Sequence, residues 1–348
     1  METPLTEIVA STLTEPVLCP APPVETAVNR VFLSSLADGY RSAFLGGLEF
    51  LGHAARIRPG DRVAVKPNLT FPRYRAGVMT SPDAVRAMVD ILLERGARVT
   101  VCESDSGGYN PFSMDQVFAE TGLHDLWRRD GVEVVNLSRM PAHNITVRAG
   151  WRRLTVPLPR KILDETDRFI TMPVPKIHVN TGISVSIKNQ WGLIQNPAIR
   201  LKLHPYFNEV IYAITRALPP ALAVVDGRYG LTRSGPMSGD PVPLNWTLLT
   251  NSLYTCDYVV ARLMGIDPGS IGHLRHIFGR EGFNRVSTAE YNADPGRFRT
   301  GNFYLRRRIT DYPGLMTFHS RPLAWLGYES PLARPLHWLL YRIREPFY

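Results

Sequence analysis

The strongest constraint on the fold of this chain is an alternation of short, almost unbroken apolar runs with stretches of helical periodicity. "DRVAVKP" (residues 61–67) is followed by "SPDAVRAMVDILLERG" (81–96), and "ARVTVCES" (97–104) by a helical stretch over 113–129 that leads to "VEVVNL" (132–137). Ser81 as cap, Pro82 and Asp83 in the first turn and Gly96 as stop predict a helix over 81–96. An Arg- and Pro-rich section, 138–160, predicts a small excursion or hairpin. The pattern resumes with the strand "RFITMPV" (168–174), a helix starting near Thr181, the helix "PYFNEVIYAITRAL" (205–218), the strands "ALAVVDG" (221–227) and "NWTLLTN" (245–251), and the helix "TCDYVVARLMG" (255–265). Apolar strands alternating with amphipathic helices predict an α/β fold, a mostly parallel, Rossmann-like sheet with helices on both faces. The expected organisation is a loose N-terminal arm (1–28), an α/β domain (29–294) and a helical, aromatic-rich C-terminal extension (295–348).

In open parallel sheets, ligands bind beyond the carboxyl ends of the strands, so the residues that follow each run matter most. They are Lys66-Pro67-Asn68, then Glu103-Ser104-Asp105 with Gly107-Gly108, then Asn136, then Lys176 and His178, then Asp226-Gly227, and last Asn251-Ser252. Lysine at the end of an apolar strand is expensive unless an anion neutralises it. The stretch "VPKIHVNTGISVSIKNQWGLI" (174–194) adds Lys188 and Asn189 to Lys176, His178, Asn180 and Thr181, and has no acidic residue. A helix starting near Thr181 would bring Asn180, Thr181 and Ser184 to its amino end, where free N–H groups attract anions. Lys66, Lys176 and Lys188 are therefore expected to form a cationic floor for phosphate or carboxylate. His178 is the expected proton carrier, since its unperturbed pKa lies near neutrality. Glu103, Asp105 and Asp226 are expected to balance charge, hold a divalent metal, or act as acid and base. The glycine-rich "DGRYGLTRSGPMSGD" (226–240) lacks the phosphate-loop and dinucleotide-turn patterns and reads as a mobile cover over the site. "HLRH" (His273, His276) has metal-compatible spacing but reads as a surface helix.

Composition excludes several classes. The formal charge of +9, from 40 basic and 31 acidic residues, favours anionic partners without naming nucleic acid. No apolar run approaches the ~20 residues of a membrane span, and the acidic N-terminal stretch (Glu2, Glu7, Glu15, Glu25) does not read as a signal peptide, so the expected location is cytoplasmic. Cys19, Cys102 and Cys256 are far apart and form no CxxC pair, which argues against a Cys-ligated iron–sulfur cluster. Cys102 and Cys256 read as small core residues. No serine sits in GxSxG, which argues against a covalent hydrolase.

"VAVKPNLT", "MTSPDAVRAMVDILLERGARVTVCES", "VPKIHVNTGISVSIKNQWGLI" with His204, "VVDGRYGLTRSGPMSGDP" and "CDYVVARLMGIDP" occur in this order. Together they resemble the family called domain of unknown function 362, over residues 62–268, about 60% of the chain. Some members of that family carry a ferredoxin-like iron–sulfur segment, whose cysteines this chain lacks. A fainter similarity is to the catalytic domain of lactate racemase, which uses lysine and histidines around a nickel-pincer cofactor. The family pattern implies a polar signature at Lys66, Asn68, Glu103, Lys176, His178, Lys188, Asn189, His204 and Asp226. The combined reading is an enzyme acting on a small anionic metabolite by lysine and histidine proton transfer, isomerase- or lyase-like, with a metal or cofactor unspecified. A non-catalytic cofactor- or metal-binding accessory protein is the alternative. The tail, with Trp325, Trp338 and Tyr341 beside Arg342 and Arg344, has three readings: packing on the body or on a second copy, contact with an anionic membrane, or nucleic-acid binding.

Overall fold

The computed structural model describes residues 28–106, 112–300, 302–328 and 330–343. The expected arm up to residue 27 with Cys19, the Gly107-Gly108 pair, the Tyr341 side chain and Arg344 lie outside the described residues. The strands are β1 Arg30–Ser35, β2 Arg62–Pro67, β3 Arg98–Glu103, β4 Val132–Asn136, β5 Ala142–Ala149, β6 Arg152–Pro159, β7 Arg168–Met172, β8 Lys176–His178, β9 Gly182–Ser184, β10 Ala221–Thr232, β11 Asp240–Thr250 and β12 Glu290–Tyr291. The helices are α1 Gly39–Leu51, α2 Pro82–Glu94, α3 Met114–Glu120, α4 Arg160–Leu163, α5 Ser186–Asn189, α6 Pro197–Leu203, α7 Phe207–Ala217, α8 Leu253–Leu263, α9 Gly272–Glu281, α10 Phe283–Ser287, α11 Tyr312–His319, α12 Arg321–Tyr328 and α13 Ala333–Ile343.

The main sheet runs β12-β1-β11-β10-β7-β2-β3-β4. Its five strands from β10 to β4 are parallel, and β11 is antiparallel to both β10 and β1. The apolar runs are near-continuous because both faces are buried. Val63, Val65, Val99 and Val101 pack in one layer with α1, α2 and α3. Ala64, Phe169, Ala223 and Val225 pack in the other with residues of α5, α7, α8 and α9. Cys102 and Cys256 are fully buried free thiols in that second layer. The section at 138–160 contains the antiparallel hairpin β5–β6.

Two local expectations are corrected. No helix starts near Thr181: β8 and β9 form a small antiparallel hairpin there, and the helix α5 begins only at Ser186. The alternating Lys-Ile-His run favours a strand, and Gly182 takes the positive φ of +82° that the turn into β9 requires. Residues 226–240 are not a mobile cover either. β10 continues through a bulge to Thr232, and Arg233 grips Asp240 with two hydrogen bonds of 2.8 Å across the base of the hairpin loop. This extension carries the site, because Leu231 of β10 pairs with Lys176 of β8.

β1 and α1 have no counterpart in the sequence reading. In α1, Gly46 and Gly47 obscure the helical signal, and the structure shows the reason for one of them. A Cβ on Gly47 would lie 2.6 Å from Leu249 Cδ2, so the helix seats directly on β11. Gly77 plays the same part for the loop after β2. It has φ +74°, and a Cβ there would come 2.4 Å from the Gly230 carbonyl oxygen. Gly77→Ala is expected to lower the unfolding free energy by roughly 2–4 kcal/mol, because conformational strain and a backbone clash add. Gly60→Ala, at a similar φ with open space around it, is expected to cost only about 1 kcal/mol. Urea denaturation of both variants checks the difference.

Candidate functional site

The carboxyl ends of β2, β3 and β7 meet at a buried ion pair. Strand register sets Lys66 beside Thr171, and Lys66 Nζ donates to Glu103 Oε2 at 2.7 Å. The two residues are only 1% and 4% exposed. Glu103 Oε1 accepts the Ser104 backbone N–H at 2.9 Å. Asn189 joins the network from α5, its amide donating to Thr171 Oγ1 (2.8 Å) and to the Lys66 carbonyl (3.3 Å), while its oxygen faces Lys66 Nζ at 3.4 Å. Gly192 closes over the pair, with a Cβ there falling 2.8 Å from Glu103 Oε1 and 3.0 Å from Lys66 Nζ.

Lys176 is buried on β8 with no carboxylate within ion-pair distance among the described residues; its ammonium donates to the Val78 carbonyl at 2.9 Å. The Asn68 amide donates to the same oxygen at 2.6 Å, which brings the two side chains together. Burial, then the charge of Lys188, pushes the Lys176 pKa down to about 7, with Glu103 opposing and Lys66 adding. His178, also buried, accepts the backbone N–H groups of Asn180 (3.1 Å) and Thr181 (3.4 Å) at Nδ1, which leaves Nε2 as the nitrogen that carries the proton of the neutral ring. Burial first, and then Lys188 and Lys176, hold its pKa well below the ordinary histidine value.

Lys188 is half-buried, and its ammonium lies 4.8 Å from the Phe207 ring centre and 5.9 Å from that of Trp191. Among the described residues no carboxylate pairs with it, and burial followed by the charge of Arg200 pushes its pKa down to about 7. Arg200 is buried with its guanidinium on neutral acceptors: Ser104 Oγ (2.5 Å), Ile194 O (2.6 Å) and Asp105 O (2.7 Å). His204 stacks on Trp191 at 5.6 Å between ring centres and touches Phe318 at 4.9 Å. Burial and the charges of Lys188 and Arg200 push its pKa down to about 3. Beside this group opens a cleft of about 550 Å³, lined among others by Asn180, Thr181, His204, Phe207, His273 and Phe318. Asn180 Oδ1, Trp191 Nε1 and His273 Nε2 are buried here without a hydrogen-bond partner among the described residues.

A family model described as Domain of unknown function (DUF362) matches residues 63–262, more than half of the chain. The chain belongs to this family. A curated relative, the thylakoid-associated protein sll1697 of Synechocystis sp. (strain ATCC 27184 / PCC 6803 / Kazusa), is 25% identical over 223 residues, 62% of this chain and 66% of the relative. Among solved structures, the lactate racemase apoprotein of Thermoanaerobacterium thermosaccharolyticum is similar at 15% identity and a TM-score of 0.42, covering 66% of this chain and 56% of that one. A Thermotoga maritima structural-genomics protein is similar at 13% identity and a TM-score of 0.33, covering 59% and 53%.

In this DUF362 chain Lys66, Glu103, Asn189 and Thr171 form one hydrogen-bonded network. Lys176 and Asn68 share a carbonyl, and Lys176, His178, Lys188 and His204 lie close enough for their charges to shift one another. His178, the expected proton carrier, lies buried beside Lys176 and Lys188, and burial and their charges hold its pKa well below the ordinary histidine value. The metal set of Glu103, Asp105 and Asp226 is corrected. Asp105 Oδ1 accepts Met114 N (2.7 Å) and the Asn136 amide (3.0 Å), whereas Asp226 holds Tyr40 Oη and Ser81 N (both 2.7 Å) and Arg228 N (3.1 Å). The three carboxylates take different partners, and the described residues contain no group of three His, Cys, Asp or Glu side chains able to hold a metal ion. The helix of "HLRH" is not a surface helix on its inner side. His273 is buried, edge-on to Phe207, with Asp257 Oδ2 3.9 Å from its Nε2.

Sequence reasoning missed Arg200, Trp191, Phe207 and Phe318. Trp191 stands inside the acid-free stretch and could have been flagged as a ring for a nearby cation; Arg200 carries no local signal. Glu103→Gln, which leaves the Lys66 ammonium buried and unpaired, is expected to lower the unfolding free energy by about 3–5 kcal/mol. The double change Lys66→Met/Glu103→Leu is expected to recover most of that loss, as read by urea denaturation.

Proposed function

We propose that this chain is an enzyme acting on a small carboxylated or phosphorylated metabolite bound beside Lys176, Lys188 and Arg200, and that a lysine amine transfers the proton. One observation carries the reading: three cationic side chains, two buried and one half-buried, act on one another with no carboxylate in ion-pair contact among the described residues, and Lys188 lies against Phe207, a wall of the cleft. A desolvated charge costs several kcal/mol unless it is neutralised. The Lys66–Glu103 pair is internally balanced, so the excess positive charge sits with the other three groups, and a bound anion would balance it.

The same environment suits proton transfer. An amine with a pKa of about 7 is divided between its base and acid forms at neutral pH, where a general base works best. A substrate carboxylate or phosphate contacting one lysine would hold that ammonium protonated. The other, as free amine, would take a proton from the carbon next to the carboxylate or from a hydroxyl. His178, with its proton at Nε2, would donate a hydrogen bond to the oxygen on which negative charge develops. Asn180, Thr181 and His204 on the cleft wall would orient the substrate. No step requires a metal.

Lys176→Met and Lys188→Met keep side-chain volume and remove an uncompensated charge, so both are expected to fold and to melt at or above the wild-type temperature. Each is expected to weaken binding of inorganic phosphate or a simple carboxylate by roughly 10- to 100-fold, the worth of a hydrogen bond to a charged group; calorimetry reads it. Wild-type affinity in both variants would remove the basis of the reading. Incubating the protein with bound carboxylates in D₂O separates enzyme from accessory protein. Deuterium at the carbon beside the carboxylate supports proton transfer, and binding without exchange favours the accessory role.

The pH dependence has a definite sign. Both lysines titrate near pH 7 when folded and near ~10.4 when unfolded, so across that window the unfolded chain binds more protons. Stability of the free protein is therefore expected to rise with pH between about 7 and ~10.4, and to level off below about 7, where both states carry the protons. Anion affinity is expected to move oppositely, decreasing above about pH 7, with proton uptake on binding at pH ~8. Calorimetry in buffers of different ionisation enthalpy measures that uptake.

A further inference from the structure

The C-terminal helices, whose Phe318 and His319 line the cleft, hold a second feature on their exposed side. Tyr312, Met316, Trp325, Leu332, Trp338 and Leu339 are each 52–60% exposed, on or beside α11, α12 and α13. The segment packs inward through buried Phe318 and Ala324, so these outer side chains are surplus to its attachment. From 312 to 343 the sequence has three arginines, Arg321, Arg334 and Arg342, against one acid, Glu329. On α13, Arg334, Trp338 and Arg342 recur at every fourth position and so form one stripe, with the Arg342 guanidinium 4.4 Å over the Trp338 ring. Leu332, Leu336 and Leu339 form a separate apolar stripe, and Arg306 and Arg307 add exposed charge just upstream.

Exposed large apolar groups of this density mark a contact surface, and the charge pattern selects its occupant. A second copy would set the same arginines against one another. None of the described helices is long and apolar enough to cross a bilayer. Short helices with exposed Leu on one stripe and Trp among arginines on another suit the headgroup boundary of an anionic bilayer, where rings sit at the interface and guanidinium groups meet lipid phosphates. We propose that α11–α13 form a peripheral docking surface for anionic lipid bilayers.

The test uses the full chain, mixed with vesicles of phosphatidylcholine alone or of phosphatidylcholine with phosphatidylglycerol, and measures co-flotation and tryptophan emission. The expected result is flotation with the anionic vesicles only, a blue shift of the emission, and loss of binding as salt is raised. Arg334→Ala/Arg342→Ala, changing two exposed residues, is expected to lower partitioning about 30-fold at low salt, on the basis of roughly one charge-equivalent per arginine. Trp338→Ser/Leu339→Ser is expected to weaken flotation and to reduce the blue shift to what Trp325 contributes. Equal flotation with neutral vesicles, flotation with neither, salt-insensitive binding, or a concentration-dependent dimer that leaves vesicles untouched would each overturn the proposal. Because the wild-type salt titration and the lipid comparison need no variant, a folding failure in either double variant leaves the test intact. Anion binding in the cleft is read separately, so failure here does not bear on the proposed enzyme.

Discussion

The Lys66–Glu103 ion pair is the interaction on which the arrangement of the site depends. It sits where β2 and β3 end, and the segment 186–193 is built onto it: Asn189 bonds the Lys66 carbonyl and Thr171, Gly192 lies against both charges, and Ser104, the neighbour of Glu103, donates to the Gly192 carbonyl. One short segment is thereby tied to β2, β3 and β7, which fixes Lys188 between them and α7. A buried ion pair adds little net stability compared with an apolar substitute, but it is severe on any packing that would separate its charges. Its value here lies in specifying one position for the segment that follows β9.

Once that pair is internally neutral, Lys176, Lys188 and Arg200 stand out as charges that the fold itself does not balance. Their partners are carbonyl oxygens, a hydroxyl and aromatic faces, which solvate a cation without cancelling it. Each also lowers the proton affinity of a neighbour: Lys188 acts on Lys176, and Arg200 acts on Lys188. In the proposed reading, affinity for an anion and a supply of free amine at neutral pH have one origin. An added carboxylate near Lys188 would raise its pKa and stabilise the free protein while removing both properties.

The sheet was legible because its central strands obey a simple rule. Runs such as 61–67 and 97–104 are buried on both faces, so their composition shows them without reference to partners, and the residues that end them, Lys66 and Glu103, meet in the buried ion pair. Lys66 and Lys176 could be chosen from the ends of such runs, and Lys188 from the acid-free stretch around it. What was not legible depends on contacts between distant segments. The glycines of α1 make sense only against Leu249. The β8–β9 hairpin forms because β10 runs on past its bulge to pair with Lys176. The saturation of Asp226 depends on Tyr40 and Ser81, more than a hundred residues away, so a carboxylate that looked free for a metal is a structural tie. The state of His178 depends on the net charge around it, and no single-residue reference pKa carries that information.

The C-terminal segment joins the two surfaces. α11 places Phe318 against His204 and Phe207, the ring on which the Lys188 ammonium rests, and presents Tyr312 and Met316 outward. A shift of α11 cannot leave His204 and Phe207 in the same surroundings, since Phe318 covers both. Less cover admits water to Lys188 and His204, weakening the burial that holds their pKa values down; tighter cover strengthens it. The proton affinity of the cleft is thus mechanically linked to the position of a helix whose outer side faces away from the sheet.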